Sequence, residues 1–291
     1  MRRWVAGGCA LLVGGVLGLP SMAVGTTYAV VVGTLWAGQE KLLFPARSTK
    51  REVMTAQAQA WGAREVDLVA SDGTRLYGWH VDRGGERLLL YLHGNAGGVT
   101  AAAWLADQLP GVDVLTVSYR GYPASEGRPS QEGLTLDAQA AWDFVVTDLG
   151  VPPERVVVHG RSLGGGVAMQ LLRGVEPGGV VLESTFTALA PVAARQLPGV
   201  PVGWLLRHPF RSERVAPRVR SPALVIHGTQ DGLVPFAHGE ALAAALPRAD
   251  LVAVEGHGHD WLLDDPQARA AWQAFVWGAT ATDDGAPPSA D

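Results

Sequence analysis

Arg155-Val-Val-Val-His-Gly-Arg-Ser162-Leu-Gly-Gly-Gly166 is a short apolar run that closes on a glycine-flanked serine. Its three valines predict a buried strand, and Val167, Met169, Leu171 and Leu172 continue it as a helix. Between the two the chain must reverse within a few residues, with Ser162 at the tip. Such a turn needs glycine at Gly160 and Gly164, because side chains there collide as strand folds back into helix. The same geometry holds the serine in a strained, exposed conformation. Behind it, the helix N-terminus offers unpaired N–H groups to a developing oxyanion. Gly-x-Ser-x-Gly alone is common by chance; the strand before it and the helix after it make Ser162 a candidate nucleophile.

Outward from this turn, strand-like and helix-like segments alternate. Val66–Leu68 and Leu76–Val81 flank Asp72-Gly73 and predict a β-hairpin. Leu88–Leu92 is a continuous apolar run, typical of a strand covered on both faces. Further strands are expected at Val112–Val117, Val180–Leu182, Ala223–Ile226 and Leu251–Val254. Helices are expected near Val99–Gln108, Gln131–Leu149, Ala188–Gln196, Phe236–Leu246 and Pro266–Val276. The alternation predicts an α/β fold: a mostly parallel twisted sheet with helices on both faces and an antiparallel N-terminal hairpin.

Open α/β sheets gather their functional groups at the carboxyl ends of the strands. Those ends carry His93-Gly94-Asn95-Ala96-Gly97, Ser162, His227-Gly-Thr-Gln-Asp231 and Gly256-His-Gly-His259-Asp260. A serine hydroxyl needs an imidazole to take its proton, and the imidazole needs a carboxylate to fix its tautomer. His259 is the expected base, with His257 as its competitor in the same loop. Asp231 is the expected acid, with Glu183, at the end of the strand after the serine strand, as its rival. The N–H groups of Leu163 and Asn95 are the expected oxyanion donors, with Ala96 next after Asn95. His93 reads as a buried residue that holds its turn. Arg120 and Glu126 read as loop-pinning residues, and Arg161 as a structural or rim residue. Val202, Trp204, Leu205, Leu206 and Phe210 form either an acyl pocket or ordinary packing under a loop.

Composition narrows the class. With 291 residues, 47% of them hydrophobic, the chain has enough apolar surface for a large core, and its net charge of −5 disfavours a nucleic-acid platform. The eight histidines and single cysteine show neither Cys-x-x-Cys nor His-Glu-x-x-His spacing, so no metal is expected. Residues 1–40 differ in kind, since no charge occurs from Trp4 to Gln39, a run of 36. As one helix that run is about 54 Å long, against roughly 30 Å of bilayer hydrocarbon. Three readings stand at this point: an uncleaved membrane anchor spanning about Val16–Trp36, a signal peptide cut after Ala23, and a hairpin turning near Pro20. A membrane-anchored location is the expectation common to them. Residues 41–62 read as a polar connector, 63–279 as the catalytic domain and 280–291 as a disordered tail.

In combination and order these motifs resemble the α/β-hydrolase superfamily. The matching pieces include Leu42-Leu43-Phe44-Pro45, His93-Gly94-Asn95-Ala96-Gly97, Ser118-Tyr-Arg-Gly-Tyr122, Gly160-Arg-Ser-Leu-Gly164, Glu183-Ser-Thr-Phe186, His227-Gly-Thr-Gln-Asp231 and Gly258-His259-Asp260. Within the superfamily the chain resembles the membrane-anchored single-domain branch related to the eukaryotic depalmitoylating hydrolases. Those enzymes have a cysteine-rich, lipidated N-terminus, whereas this chain has only Cys9. The resemblance implies a Ser162–Asp231–His259 triad, favours His259 over His257, and implies esterase or thioesterase chemistry without a cofactor. Between Phe186 and Arg220 there is length for a minimal lid only. The expected substrate is a small-molecule ester or thioester, acyl or lipid-like. A serine aminopeptidase or phospholipase uses the same triad, and a scaffold that lost turnover is the alternative outside enzymes.

Overall fold

Leu88, Leu89, Leu90 and Leu92 are fully enclosed, because β3 (Arg87–Leu92) runs through the interior of an eight-stranded sheet. The computed structural model describes residues 8–45, 49–259 and 261–278. Leucine is not β-branched, so burial rather than strand preference fixes this segment; each enclosed leucine contributes about 1.5–3 kcal/mol relative to exposure. Strand alternation sends these side chains into two cores. Leu88, Leu90 and Leu92 join one core with residues of α4 (Gln131–Asp143) and α5 (Leu163–Leu171). Leu89 and Tyr91 join the other with residues of α3 (Ala101–Gln108) and α9 (Pro266–Gly278).

The predicted hairpin is formed by β1 (Arg64–Val69) and β2 (Arg75–Val81), and its turn uses Gly73 at φ 85°. β2 pairs antiparallel with β4 (Val112–Ser118). From there β4, β3, β5 (Val156–Arg161), β6 (Gly179–Glu183), β7 (Ala223–Gly228) and β8 (Ala249–Val254) lie side by side, all parallel. With helices on both faces, this is the α/β-hydrolase fold that the motifs implied. Between β6 and β7 the chain adds only α6 (Leu189–Gln196), α7 (Val202–Leu205) and two short 3₁₀ turns, which agrees with a minimal lid. α8 (Ala237–Ala245) then connects β7 to β8.

The N-terminal expectation is corrected. Residues Gly8–Leu43 form one helix, α1, not a hairpin at Pro20. Among the described residues no helix is long and apolar enough to cross a membrane. The transmembrane span and the membrane-anchored location therefore fail. The physical reason lies in the second half of the uncharged run. Gly25, Thr26, Thr27, Gly33, Thr34 and Gly38 dilute its valines, and its polar groups bond to protein. Tyr28 donates its hydroxyl to the carbonyl of Gly199 at 2.7 Å. Gln39 Nε2 donates to the carbonyl of Leu205 at 3.2 Å, while its Oε1 accepts from Arg207 N at 2.9 Å. The Arg207 guanidinium lies 4.1 Å from the centre of the Trp36 ring and pairs with Glu40 at 3.2 Å. An uncharged run thus ends as a helix docked on the α6–α7 segment.

The expected connector, residues 41–62, carries α2 (Arg51–Ala60), which the sequence reading missed. Only Met54 and Ala58, four apart, face inward, and they join the core beside Tyr77 and Trp79. Two inward-facing positions, one of them only an alanine, are too few to register as a helical stripe. Residues 280–291, the expected tail, lie outside the described residues.

Candidate active site

At the end of β5, Ser162 adopts φ 51° and ψ −116°, a conformation rare for a residue with a side chain. Three bonds hold it there: Ser162 N donates to the carbonyl of Glu183 at 2.8 Å, and its own carbonyl accepts from Thr185 Oγ1 at 2.7 Å and Gly165 N at 3.0 Å. The flanking glycines are required as the sequence predicts. A Cβ at Gly160 would lie 2.5 Å from the carbonyl oxygen of Gly164, and one at Gly164 would run into the Leu92 carbonyl. Gly164→Ala must push α5 off the backbone of β3. It is expected to destabilise the fold by at least the roughly 1–3 kcal/mol of an overpacked core site. Thermal unfolding against Gly174→Ala, where a new Cβ meets nothing within 4 Å, measures this.

The structure brings Ser162, His259 and Asp231 together. Asp231 Oδ2 lies 2.7 Å from His259 Nδ1, and His259 Nε2 lies 3.0 Å from Ser162 Oγ. The carboxylate keeps the imidazole proton on Nδ1, leaving Nε2 to accept from the hydroxyl. Asp231 Oδ1 accepts from the N–H of Leu233 at 2.9 Å and of Val234 at 2.8 Å, so the residue also shapes its turn. Burial alone would raise its carboxyl. Bonds with His227 and His259 and from Val234 N outweigh burial and hold it well below the usual carboxylate range. His227 was not foreseen as a neighbour of the acid; its Nε2 lies 3.4 Å from Asp231 Oδ2 and 2.9 Å from the carbonyl of Val234. His257 sits outside this arrangement, half-buried, with Nδ1 on the carbonyl of Glu255 at 3.0 Å. Glu183 contacts the chain around the imidazole instead of the imidazole itself.

Leu163 opens α5 immediately after Ser162, and the first N–H groups of a helix have no partner within it. Facing it is the Gly94–Asn95 turn, close enough that a Cβ at Gly94 would be 3.3 Å from the carbonyl oxygen of Arg161 and 3.4 Å from Ser162 Cβ. The Asn95 side chain is turned away, with Oδ1 accepting from the Tyr122 hydroxyl at 3.1 Å. His93 holds the turn as expected. Its Nδ1 lies 2.8 Å from the carbonyl of Gly94, and its ring packs 4.2 Å from that of Tyr119. Burial pushes its imidazole down to about 4, which leaves it neutral at pH 7.

A cleft of about 550 Å³ opens beside this turn, lined by Asn95, Tyr91, Trp104, Tyr122, Arg161 and Trp261 among others. The apolar residues of the 186–220 segment lie elsewhere. Val202, Leu205 and Leu206 border a crevice against α1, Phe210 is fully buried, and Trp204 is 94% exposed. None of the five lines the cleft.

A tight strand-to-helix turn at Ser162 on this sheet points to a class of fold, and sequence comparison shows the family. Residues 89–221 match the model of the alpha/beta hydrolase family, and residues 201–285 match that of TAP-like proteins. The alpha/beta hydrolase domain-containing protein WAV2 of Arabidopsis thaliana is 31% identical over 238 residues, covering 73% of this chain and 77% of that protein. An uncharacterized protein of Mycobacterium tuberculosis is 38% identical over 251 residues, covering 83% of this chain and 88% of that protein. The chain belongs to the alpha/beta hydrolase family. Among solved structures, the Pyrococcus furiosus esterase Pf2001 superposes with a TM-score of 0.62 at 20% identity, over 76% of this chain and 93% of the esterase.

Proposed function

We propose that this protein is a serine hydrolase that cleaves carboxylic esters or thioesters through an acyl-enzyme, with residues 63–279 as its catalytic unit. The observation that carries this reading is the unbroken hydrogen-bond relay from Asp231 through His259 to Ser162 Oγ. In the first step His259 Nε2 takes the hydroxyl proton as Ser162 Oγ attacks the substrate carbonyl. The N–H groups of Leu163 and Asn95 receive the oxyanion, a contribution of about 10²–10³ in rate per donor. The imidazolium, stabilised by Asp231, then gives its proton to the departing alcohol or thiol. Water, deprotonated by the same imidazole, hydrolyses the acyl-serine and restores the enzyme. The cleft at Asn95 and Arg161 is open enough to admit a small-molecule ester.

Labelling with a fluorophosphonate tests this reading, because the probe bonds lastingly to a serine activated by its base. Wild type is expected to label and Ser162→Ala is not. Well-folded wild type that stays unlabelled would move the protein to the class of hydrolase-fold scaffolds without turnover.

A further inference from the structure

Glu183 is the last residue of β6, and its side chain is entirely enclosed although it has no part in the proposed triad. Taking a carboxylate out of water costs several kcal/mol unless its partners compensate. Here the partners are specific. Oε2 lies 3.1 Å from His159 Nε2, and Oε1 accepts from Arg161 Nε at 3.3 Å and from Leu262 N at 3.2 Å. Burial would raise this carboxyl, but the bond with His159 and those from Arg161 and Leu262 hold it below its ordinary value, so it is charged at neutral pH.

Arg161 extends the connection to the base. Its Nη2 donates to the carbonyl of His259 at 2.9 Å, and its guanidinium lies 5.3 Å from the centre of the Trp261 ring. One residue therefore grips both moving parts. The Glu183 carbonyl holds the N–H of Ser162, while its carboxylate holds Leu262 directly and His259 through Arg161. The loop before His259 is tied to the end of β7, with Gln230 N donating to the carbonyl of His257 at 2.9 Å and Gly256 N to Thr229 Oγ1 at 3.1 Å, and Arg161 continues this support to the carbonyl of His259 itself. A displacement of about 1 Å from productive geometry is worth roughly 10²-fold in rate.

We infer that Arg161 and Glu183 are positioning residues that fix the main chain of His259, so that Nε2 stays within reach of Ser162 Oγ. The inference rests on the proposed hydrolase activity for its kinetic consequence, but not for its structural one. Arg161→Lys is the informative variant, because it keeps the positive charge and loses the planar fork that reaches two acceptors. Hydrolysis of p-nitrophenyl butyrate by the full chain is expected to show kcat lowered about 10- to 100-fold with KM unchanged. The charged and polar groups at His259 are Asp231 at Nδ1, Ser162 at Nε2 and the cation at its carbonyl. With rates normalised to folded protein, partial unfolding alone does not produce this loss in kcat.

Glu183→Gln keeps the shape of the site and serves as the second variant, expected to lower kcat in the same way. Amide exchange of residues 255–259 and 261–262 is measured alongside and is expected to quicken in both variants whether or not the protein turns over ester. Wild-type kcat in Arg161→Lys would overturn the inference, as would unchanged exchange in both variants. Wild type that neither labels nor hydrolyses would overturn the hydrolase reading alone, and exchange then decides the positioning role.

Discussion

Ser162→Ala is expected to lower ester turnover by on the order of 10⁶-fold, because the proposed nucleophile and its base act as one unit. His259→Ala should match it, and the double variant should lose no more than either single one. Turnover of a p-nitrophenyl ester, normalised to folded protein, reads all three. Additive losses would mean that serine and histidine act independently, contrary to the 3.0 Å contact between them. Asp231→Asn separates the two duties of that residue. The amide oxygen can still accept from the N–H groups of Leu233 and Val234, so the turn should form. Its nitrogen then faces His259 Nδ1 as a donor and drives the ring proton to Nε2, where it can no longer accept from Ser162. A loss of roughly 10⁴-fold is expected. Asp231 is held well below the carboxylate range, so it is charged at neutral pH.

The parts of the site that were legible from sequence are those encoded locally. The apolar run at Leu88–Leu92 announces a doubly covered strand, and the elbow is spelled by residues within a few positions of Ser162. Asp231 and His259 could be picked because parallel strands deliver their following loops to one edge. The Arg161–Glu183 grip was not legible, although the residues are register partners on adjacent strands. Each lies in a local motif that says nothing of the other, and only the pairing of β5 with β6 makes them neighbours. α1 was misread for a related reason. Hydropathy registers the lack of charge from Trp4 to Gln39 but not that Tyr28 and Gln39 find partners more than 160 positions away. The expectation that Arg120 pins its loop held, since an arginine in a glycine-rich strand-end segment needs a carboxylate when it is enclosed.

The enclosed Arg120–Asp137 pair should give the largest single effect on stability. Asp137 lies on α4 with no exposure, and its Oδ2 accepts from the backbone N–H of Arg120 at 2.8 Å. Oδ1 accepts from Arg120 Nε at 2.9 Å and lies 2.8 Å from Nη2. The other edge of the guanidinium reaches Asp72 at 2.6 Å, in the turn of the β1–β2 hairpin. Three elements are thus joined through one cation. Gly133 makes room for it, since a Cβ there would overlap the Arg120 side chain. Asp137→Ala leaves a buried cation short of its enclosed acceptor and an enclosed N–H without a partner. Breaking one side of such a pair costs about 3–5 kcal/mol. Asp137→Asn should rescue little, because each carboxylate oxygen faces a donor and an amide can offer an acceptor to only one of them. Urea unfolding of wild type and both variants measures the difference. A loss under about 1 kcal/mol in Asp137→Ala, the range of solvent-exposed pairs, would mean that water or Asp72 takes over the guanidinium and that the joint is not structural.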